Sequence, residues 1–213
     1  TRLDAVMASH TDRDHLGGLL YIVDNFDVGA AILGAVESDR PLEQEFLARC
    51  VARGVPVLRA KRGDTLQLGN TALPVFHPMP DWSATTLPND LSIVARLDFE
   101  ATSFLFAGDI ERAAEASLDL SLIDTDVLKV PHHGADTSST VPFINAVTPQ
   151  YATISTGSRG RQVMDPPIID RYKARGVSVL RTDRLGAIRF TLRDGALHVE
   201  SERANRGYPI AKD

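Results

Sequence analysis

The chain contains a single cysteine, Cys50, so an intrachain disulfide and a zinc site built on several cysteine thiolates are both excluded. It has no apolar run near the roughly 20 residues that a membrane-spanning helix requires. Glycine-rich nucleotide-binding motifs and the G-x-S-x-G motif of serine hydrolases are also missing. Metal ligands must therefore be histidine, aspartate or glutamate. Nothing in the sequence indicates export, so we expect a cytoplasmic protein with no membrane segment.

Positive charge is scarce in the first three quarters of the chain. Residues 1–157 carry 11 Lys and Arg against 21 Asp and Glu, whereas residues 158–213 carry 12 against 7. The chain is therefore not basic throughout, as general nucleic-acid coat proteins usually are. The basic last quarter is suited to meet a phosphate backbone, but a solvated face of mixed charge explains it at least as well.

The size and the hydrophobic pattern predict a layered α/β protein. With 213 residues, 43% of them hydrophobic, the chain is long enough to bury a sizeable core, and we expect one domain over 1–213. Apolar periodicity alternates between strands and helices, with helices predicted over 15–26, 41–53, 111–120 and 166–175. The polar residues of interest follow strands, where mixed α/β folds carry their sites.

The densest group of metal-ligand residues lies in the segment SHTDRDHLGG, residues 9–18. It places His10, Asp12, Asp14 and His15 within six positions, directly after an apolar strand. A tight loop after a strand delivers alternate side chains to one point, and the adjacent Asp-His pair covers a second point nearby. Aspartates that cap the following helix are the alternative. Two histidines and two aspartates at this spacing favour a metal centre.

Two later strand ends carry the same residue types. The strand FLFA ends in Gly108 and Asp109, and taken alone Asp109 is more typical of a helix cap. Beside the first motif, however, its carboxylate is suited to bridge two metal ions. The strand that begins near residue 126 ends in the adjacent pair His132 and His133. We expect at least one of these two histidines to bind metal or to carry a proton.

These motifs together resemble the metallo-β-lactamase superfamily, whose first motif is usually H-x-H-x-D-H. The form with aspartate in the third position resembles more narrowly the hydrolase domain of the competence protein ComEC and its stand-alone relatives. The segments LFAGD (105–109), LKVPHHG (128–134) and RTDRLGAI (181–188) resemble that subgroup in the same order. The resemblance implies an α+β fold, the αββα sandwich, with a two-metal site at one edge.

The resemblance also implies that the ligands form two sets, joined by a bridging carboxylate and completed by one histidine of the late pair. The sets are His10 with Asp12 and Asp14 with His15, the bridge is Asp109, and the last ligand is His132 or His133. The two divalent ions are expected to be zinc or manganese, because aspartate at position 12 makes the donor set harder.

The chemistry that follows is hydrolysis. Two divalent ions about 3.5–4 Å apart lower the pKa of a shared water and hold the attacking and leaving oxygens. Asp14 or Asp109 would orient the hydroxide, and His132 or His133 would protonate the leaving group. We expect a phosphodiesterase whose substrate is a phosphate ester, nucleic acid included. The alternatives are an ester, thioester or lactam hydrolase, and a non-catalytic, metal-stabilised module.

The sequence departs from the family pattern in three places. The family begins with strands that precede the first motif and are not in this chain, so we expect an N-terminal fragment or another domain to supply them. Many members have a metal-binding histidine where this chain, in residues 88–92, offers only Asn89 and Asp90, and ComEC-like chains also tend to have asparagine there. ComEC-like chains often have His-Pro after a late S-x-G, whereas here Ser155 to Gly157 is followed by Asp165. We expect Asn89, Ser155, Gly157 and Asp165 to contact substrate or relay a proton. The alternative for Asp165 in place of histidine is an altered or lost activity.

Overall fold

The structure, a computed structural model, describes residues 1–83, 86–157 and 166–205. The strands are β1 (Arg2–Leu3), β2 (Val6–Met7), β3 (Asp27–Val28), β4 (Ala31–Gly34), β5 (Val57–Ala60), β6 (Thr65–Leu68), β7 (Thr71–His77), β8 (Val94–Phe99), β9 (Thr102–Phe106), β10 (Val127–Lys129), β11 (Tyr151–Ile154), β12 (Ser178–Arg181), β13 (Ile188–Arg193) and β14 (Ala196–Ser201). The helices are α1 (Arg13–Asn25), α2 (Pro41–Arg53), α3 (Arg112–Ser117), α4 (Val141–Val147), α5 (Pro166–Lys173), α6 (Thr182–Leu185) and α7 (Glu202–Asn205), with 3-10 turns at Pro88–Leu91 and Pro131–Gly134.

The strands pair into one large sheet, one small sheet and two separate pairs. The large sheet has the order β12-β11-β10-β9-β8-β7-β6 and is parallel from β9 to β12 and antiparallel from β6 to β9. The small sheet, β2-β4-β5, is parallel. Parallel neighbours need crossover connections, and α3, α4 and α5 supply them between β9, β10, β11 and β12.

The small sheet lies between helices and the large sheet. Consecutive strand residues point to opposite faces, so each face of β4 can be followed separately. Leu33 packs with Leu16 of α1 and Phe46 of α2, whereas Ile32 packs with Val75 of β7. The helices α1 and α2 therefore cover one face of the small sheet, and the large sheet covers the other.

The opposite face of the large sheet carries the second helix layer. Leu105 of β9 and Leu128 of β10 are fully buried in one cluster with Phe143 of α4 and with Ile168 and Tyr172 of α5. The layers are thus helix, small sheet, large sheet, helix. The αββα sandwich expected from the sequence is confirmed.

The hairpin β13–β14 extends the layer formed by the small sheet. The ring of Phe190 packs edge-on against Phe104 and Tyr151, with centroids 5.9 Å apart in both pairs. Phe104 and Tyr151 lie in register with Val127 on the inner face of the large sheet. The hairpin therefore covers the part of that face that lies over β9, β10 and β11.

Local sequence signals predicted the bounds of some helices correctly and the bounds of others incorrectly. The helix predicted over 41–53 is confirmed to the residue, with Pro41 in its first turn and Gly54 in a left-handed conformation after its end. The helix predicted over 111–120 ends earlier, at Ser117. Its first turn is capped by the Asp90 carboxylate, which accepts the N–H groups of Glu111 and Ala114. No helix in the described part of the chain has the length and apolar character needed to cross a bilayer.

The packing of α2 makes a stability prediction. Phe46 is fully buried against the small sheet, whereas Val51 on the same helix is 81% exposed. Phe46→Ala is expected to lower the free energy of unfolding by about 3–5 kcal/mol, because it leaves a cavity, and Val51→Ala by no more than about 0.5 kcal/mol. Urea unfolding measures both. Equal effects would contradict the packing of α2 on the small sheet.

Candidate metal centre

The predicted site residues follow strands whose carboxyl ends meet at one edge. Asp109 comes after β9, His133 after β10 and Ser155 after β11, and these three strands are parallel neighbours. The first motif joins them from the small sheet, because the Ile93 N–H donates a 2.7 Å hydrogen bond to the Ser9 carbonyl. The carboxyl edge of a parallel sheet is the usual place for a ligand site in α/β proteins.

Three loops cross at Gly108, which has φ +55°. A Cβ on this residue would lie 2.5 Å from the Ser92 Cβ and 3.0 Å from the Ser9 Cβ, so only glycine fits the conformation and the space. The Ser92 hydroxyl accepts the backbone N–H of Asp109 at 3.0 Å. This contact fixes Asp109 relative to Ser92, whose hydroxyl also lies 3.3 Å from His10 Nδ1.

The structure brings four predicted ligands into one cluster. One ligand atom from each of Asp14, His15, Asp109 and His133 lies within 4.8 Å of the others. Asp109 Oδ2 lies 3.2 Å from His15 Nε2 and 3.1 Å from His133 Nε2, and these two nitrogens are 3.1 Å apart. Asp14 Oδ2 lies 3.7 Å and 3.5 Å from the same nitrogens. Two imidazoles and two carboxylates converging in this way form a typical donor set for a divalent ion.

Hydrogen bonds on the far side of each ring orient the cluster histidines. His133 Nδ1 lies 2.6 Å from the Ser155 carbonyl, which can only accept, so Nδ1 carries the proton. His15 Nδ1 lies 3.0 Å from the Ser9 hydroxyl. Metal-binding histidines characteristically donate their other N–H to such groups, which leaves the Nε2 lone pair for the ion.

The adjacent histidines separate because both adopt left-handed backbone conformations. His132 has φ +46° and His133 has φ +52°, a strained geometry that costs on the order of 1–3 kcal/mol per residue and is found at functional sites. His133 joins the cluster. His132 Nδ1 lies 2.9 Å from Thr137 Oγ1 and 3.3 Å from Glu111 Oε1, and its Nε2 lies 3.4 Å from Asn89 Nδ2. Thus, of the two histidines, His133 has the position of a ligand.

His10 and Asp12 form a second pair beside the cluster. The rings of His10 and His15 are 4.2 Å apart. His10 is buried, and its Nε2 has no hydrogen-bond partner in the described ranges, although Asp12 Oδ2 lies 3.6 Å away. Burial and the neighbouring His15 lower the pKa of His10 to about 4, so the ring is neutral near pH 7, as a metal ligand must be. An orphaned buried nitrogen beside a carboxylate fits a second ion.

Asp109 is held as a carboxylate with only one oxygen facing the cluster. Burial alone would raise its pKa, but hydrogen bonds with His133 and His15 and the charge of Lys129 hold that pKa well below its usual range. Lys129 Nζ donates to Asp109 Oδ1 at 3.1 Å and to the Gly108 carbonyl at 2.9 Å. The oxygen that faces His15 and His133 is therefore Oδ2.

The remaining predicted residues have different positions. Asn89 donates to Glu111 Oε1 at 3.0 Å and lies beside His132. Ser155 contributes its carbonyl, and not its hydroxyl, to the support of His133. Gly157 is exposed, with open space where a Cβ would be. Asp165 lies outside the described residues, so its predicted role stays a prediction.

Several residues around the site were not predicted from the sequence. Ser9 and Lys129 lie inside the segments SHTDRDHLGG and LKVPHHG and were open to detection as supports of the ligands. Ser92, Glu111 and Arg40 gave no comparable signal, because only the tertiary fold brings them to the site. Arg40 Nη1 is hydrogen-bonded to Asp12 Oδ1 and lies 3.3 Å from Thr11 Oγ1.

Comparison with known proteins finds one family whose sequence model matches the chain, and individual proteins with similar sequences. The model of the metallo-beta-lactamase superfamily matches residues 1–158. ComE operon protein 3 of Bacillus subtilis is 29% identical over 193 residues, which cover 89% of this chain and 24% of that protein. Competence protein ComA of Neisseria gonorrhoeae is 28% identical over 211 residues, which cover 97% of this chain and 28% of that protein. The chain thus spans about a quarter of each relative's length.

Solved structures share the fold at low identity. CmlA, a diiron beta-hydroxylase from Streptomyces venezuelae, matches with a TM-score of 0.56 at 11% identity, over 84% of this chain and 44% of that chain. At this identity the match supports the architecture alone.

The loop crossing at Gly108 makes a prediction for which Gly176, a second glycine with positive φ, is the control. Gly176 has φ +75° but open space around it, so Gly176→Ala is expected to cost only about 1–2 kcal/mol of folding stability for the left-handed backbone. Gly108→Ala adds a steric clash and is expected to cost about 1–3 kcal/mol more and to weaken divalent-metal binding. Thermal unfolding and metal titration measure both effects. Equal losses in the two variants would show that the crossing is not tight.

Proposed function

Because the chain belongs to the metallo-beta-lactamase superfamily, we propose that it is a metal-dependent phosphodiesterase that hydrolyses nucleic acid through two divalent ions. The observation that carries the proposal is the convergence of Asp14, His15, Asp109 and His133 within 4.8 Å, beside the orphaned Nε2 of His10. Zinc and manganese both suit these oxygen and nitrogen donors.

The residues divide between two ions in this proposal. Asp14, His15 and His133 would hold one ion, and His10 with Asp12 would hold the other, with Asp109 Oδ2 between them. Such ions supply Lewis acidity, which lowers the pKa of a water molecule and stabilises the negative charge that develops on phosphate. The protein's own contribution is to fix the donors before substrate arrives, through Ser155 behind His133 and Ser9 behind His15.

Lys129 is a positioning residue in this account. Its ammonium holds Asp109 Oδ1 and the Gly108 carbonyl, so the carboxylate cannot rotate freely and presents Oδ2 to the cluster. Asp109 would then offer Oδ2 as the oxygen that holds a bound ion. The positive charge of Lys129 offsets part of the negative charge that the aspartates bring to the site.

His132 is suited to deliver the proton that the leaving group needs. It lies next to the cluster residue His133 but outside the ligand group, and Glu111 lies 3.3 Å from its Nδ1. A carboxylate at this position orients the imidazole. The Nε2 side, next to Asn89, would then face the leaving oxygen.

A phosphate ester suits the charges around the site better than a lactam or a simple ester. Arg40 and Lys129 lie against the ligands Asp12 and Asp109, and arginine is the side chain best matched to phosphate oxygens. The relatives that are named for competence favour nucleic acid as the phosphate ester.

The metal set makes the first functional prediction. Purified protein is expected to bind two equivalents of Zn²⁺ or Mn²⁺ and to hydrolyse bis(p-nitrophenyl) phosphate and single-stranded DNA. Asp14→Ala removes a ligand, so its activity is expected to fall by at least about 100-fold, since loss of outer supports alone costs 10–100-fold. Asp4→Ala, at a side chain that is 96% exposed, is the control.

Elemental analysis and initial rates test this prediction. Turnover of a thioester or lactam in place of both phosphate esters would contradict the phosphodiesterase. A stable, metal-free protein with no turnover in either metal would favour a non-catalytic module.

The two adjacent histidines make the second functional prediction. His133→Ala is expected to lose bound metal, whereas His132→Ala is expected to keep both ions. His132→Ala should slow DNA cleavage by about 100-fold, in the range of general acid catalysis, but slow release of p-nitrophenolate much less, because that leaving group needs no proton. Elemental analysis paired with rates on the two substrates separates the roles. Equal slowing on both substrates would rule out His132 as the acid.

A further inference from the structure

A pocket of about 340 Å³ opens directly beside the His10 and Asp12 half of the candidate centre. His10 and Thr11 form part of its wall, so the pocket is continuous with the site that would hold the phosphate. The volume lies at the lower end of the range for small-molecule sites, about 300–1,000 Å³. One organic group of modest size fits, but a folded duplex does not.

The walls combine apolar surface with fixed guanidinium groups. Val36, Pro88 and Leu91 line the pocket together with Arg40 and Arg59. Nucleobases stack on planar guanidinium groups, and apolar side chains pack against the faces of the bases.

The guanidinium of Arg59 is held rigidly at the pocket. Its Nη1 lies 2.8 Å from Oε1 of the fully buried Glu43 and donates to the Gly34 carbonyl at 3.1 Å. The Ser38 hydroxyl donates to the other Glu43 oxygen at 2.5 Å. With 21% of its side chain exposed, Arg59 offers a surface whose orientation is set before a ligand arrives.

Arg40 connects the pocket to the candidate centre. Its contacts with Asp12 and Thr11 both use Nη1, and 42% of the side chain is exposed. A guanidinium has five N–H donors, so Arg40 keeps donors for a phosphate oxygen while it holds Asp12.

The charges of the wall indicate an uncharged occupant. Arg40 and Arg59 are balanced by Asp39 and Glu43, so the ionised side chains of the pocket sum to zero. A second phosphate would gain little from such a lining, whereas a neutral base and sugar would stack and hydrogen-bond.

We propose that this pocket binds the nucleoside that stays attached to the scissile phosphate when the leaving group departs, and that Arg40 contacts the phosphate itself. The inference rests on the proposed phosphodiesterase function and adds the residues that select a nucleotide over a simple phosphate diester.

The test compares two esters that share one leaving group. Thymidine 5′-(p-nitrophenyl phosphate) fills the pocket with its nucleoside, whereas methyl p-nitrophenyl phosphate leaves the pocket empty. In the wild-type protein, kcat/KM is expected to be about tenfold or more higher for the thymidine ester, the scale of base stacking. Val36→Trp fills the pocket and should bring the ratio of the two values close to one. The control is Val51→Trp, at a residue that is 81% exposed on α2, and it should keep the wild-type ratio.

Nucleotide binding, measured without turnover, tests the nucleoside subsite separately from the proposed phosphodiesterase activity. Titration calorimetry with thymidine 5′-monophosphate on metal-loaded protein should show binding that Val36→Trp weakens by about tenfold and Val51→Trp does not. Binding of this kind without hydrolysis of either ester supports the subsite and refutes the phosphodiesterase. Equal wild-type rates on the two esters, with no nucleotide binding, refute the subsite and leave the phosphodiesterase intact.

A second variant guards against a folding failure at Val36. Thr86→Tyr fills the same pocket from another part of its wall and should lower the ratio in the same direction. Arg40→Met should lower kcat/KM for both esters by a similar factor, on the order of 100-fold, because the phosphate is common to them. A selective loss on the thymidine ester alone would overturn the assignment of Arg40 to the phosphate.

Discussion

The site depends on one tight crossing of three loops at Gly108. A side chain there would overlap the side chains of Ser92 and Ser9, so the Gly108 backbone packs directly against both serines. His10 follows Ser9, Asp109 follows Gly108, and the Ser92 hydroxyl accepts the Asp109 N–H. The crossing thus sets the spacing between ligands from the small sheet and ligands from the large sheet. Folded interiors are closely packed and resist small shifts. This contact therefore holds the residues of the candidate centre in fixed positions relative to the αββα core.

The two halves of the candidate centre differ in the contacts that hold their side chains. In one half, Asp14, His15, Asp109 and His133 already converge, with a backbone carbonyl behind His133 and a hydroxyl behind His15. In the other half, His10 is buried and its Nε2 has no hydrogen-bond partner among the described residues, while Asp12 is partly exposed and paired with Arg40. The first half is supported by a backbone carbonyl and a serine hydroxyl, and the second by Arg40, which also lines the neighbouring pocket. In the proposed two-ion site each half would hold one ion, and the half with His10 and Asp12 would also face the pocket.

The residue types of the candidate ligands and their strand-end positions could be predicted from the sequence because both are local features. His10 to His15, Asp109 and the His132–His133 pair each follow a recognisable strand, and the layer order followed from the family resemblance. The choice between His132 and His133 was not predictable, because it depends on two successive left-handed residues that the tertiary environment imposes. Arg40 was missed for a related reason. Charge pairing across loops leaves no periodic signal in a single sequence.

The most direct test of the account is anomalous diffraction from crystals grown with Mn²⁺. The account predicts two peaks about 3.5–4 Å apart. One peak should be bound by Asp14, His15 and His133 and the other by His10 and Asp12, with Asp109 Oδ2 between them. An absence of peaks in fully folded, Mn²⁺-saturated protein, or a peak bound by His132 in place of His133, would contradict the central claim that these loops build a two-metal centre.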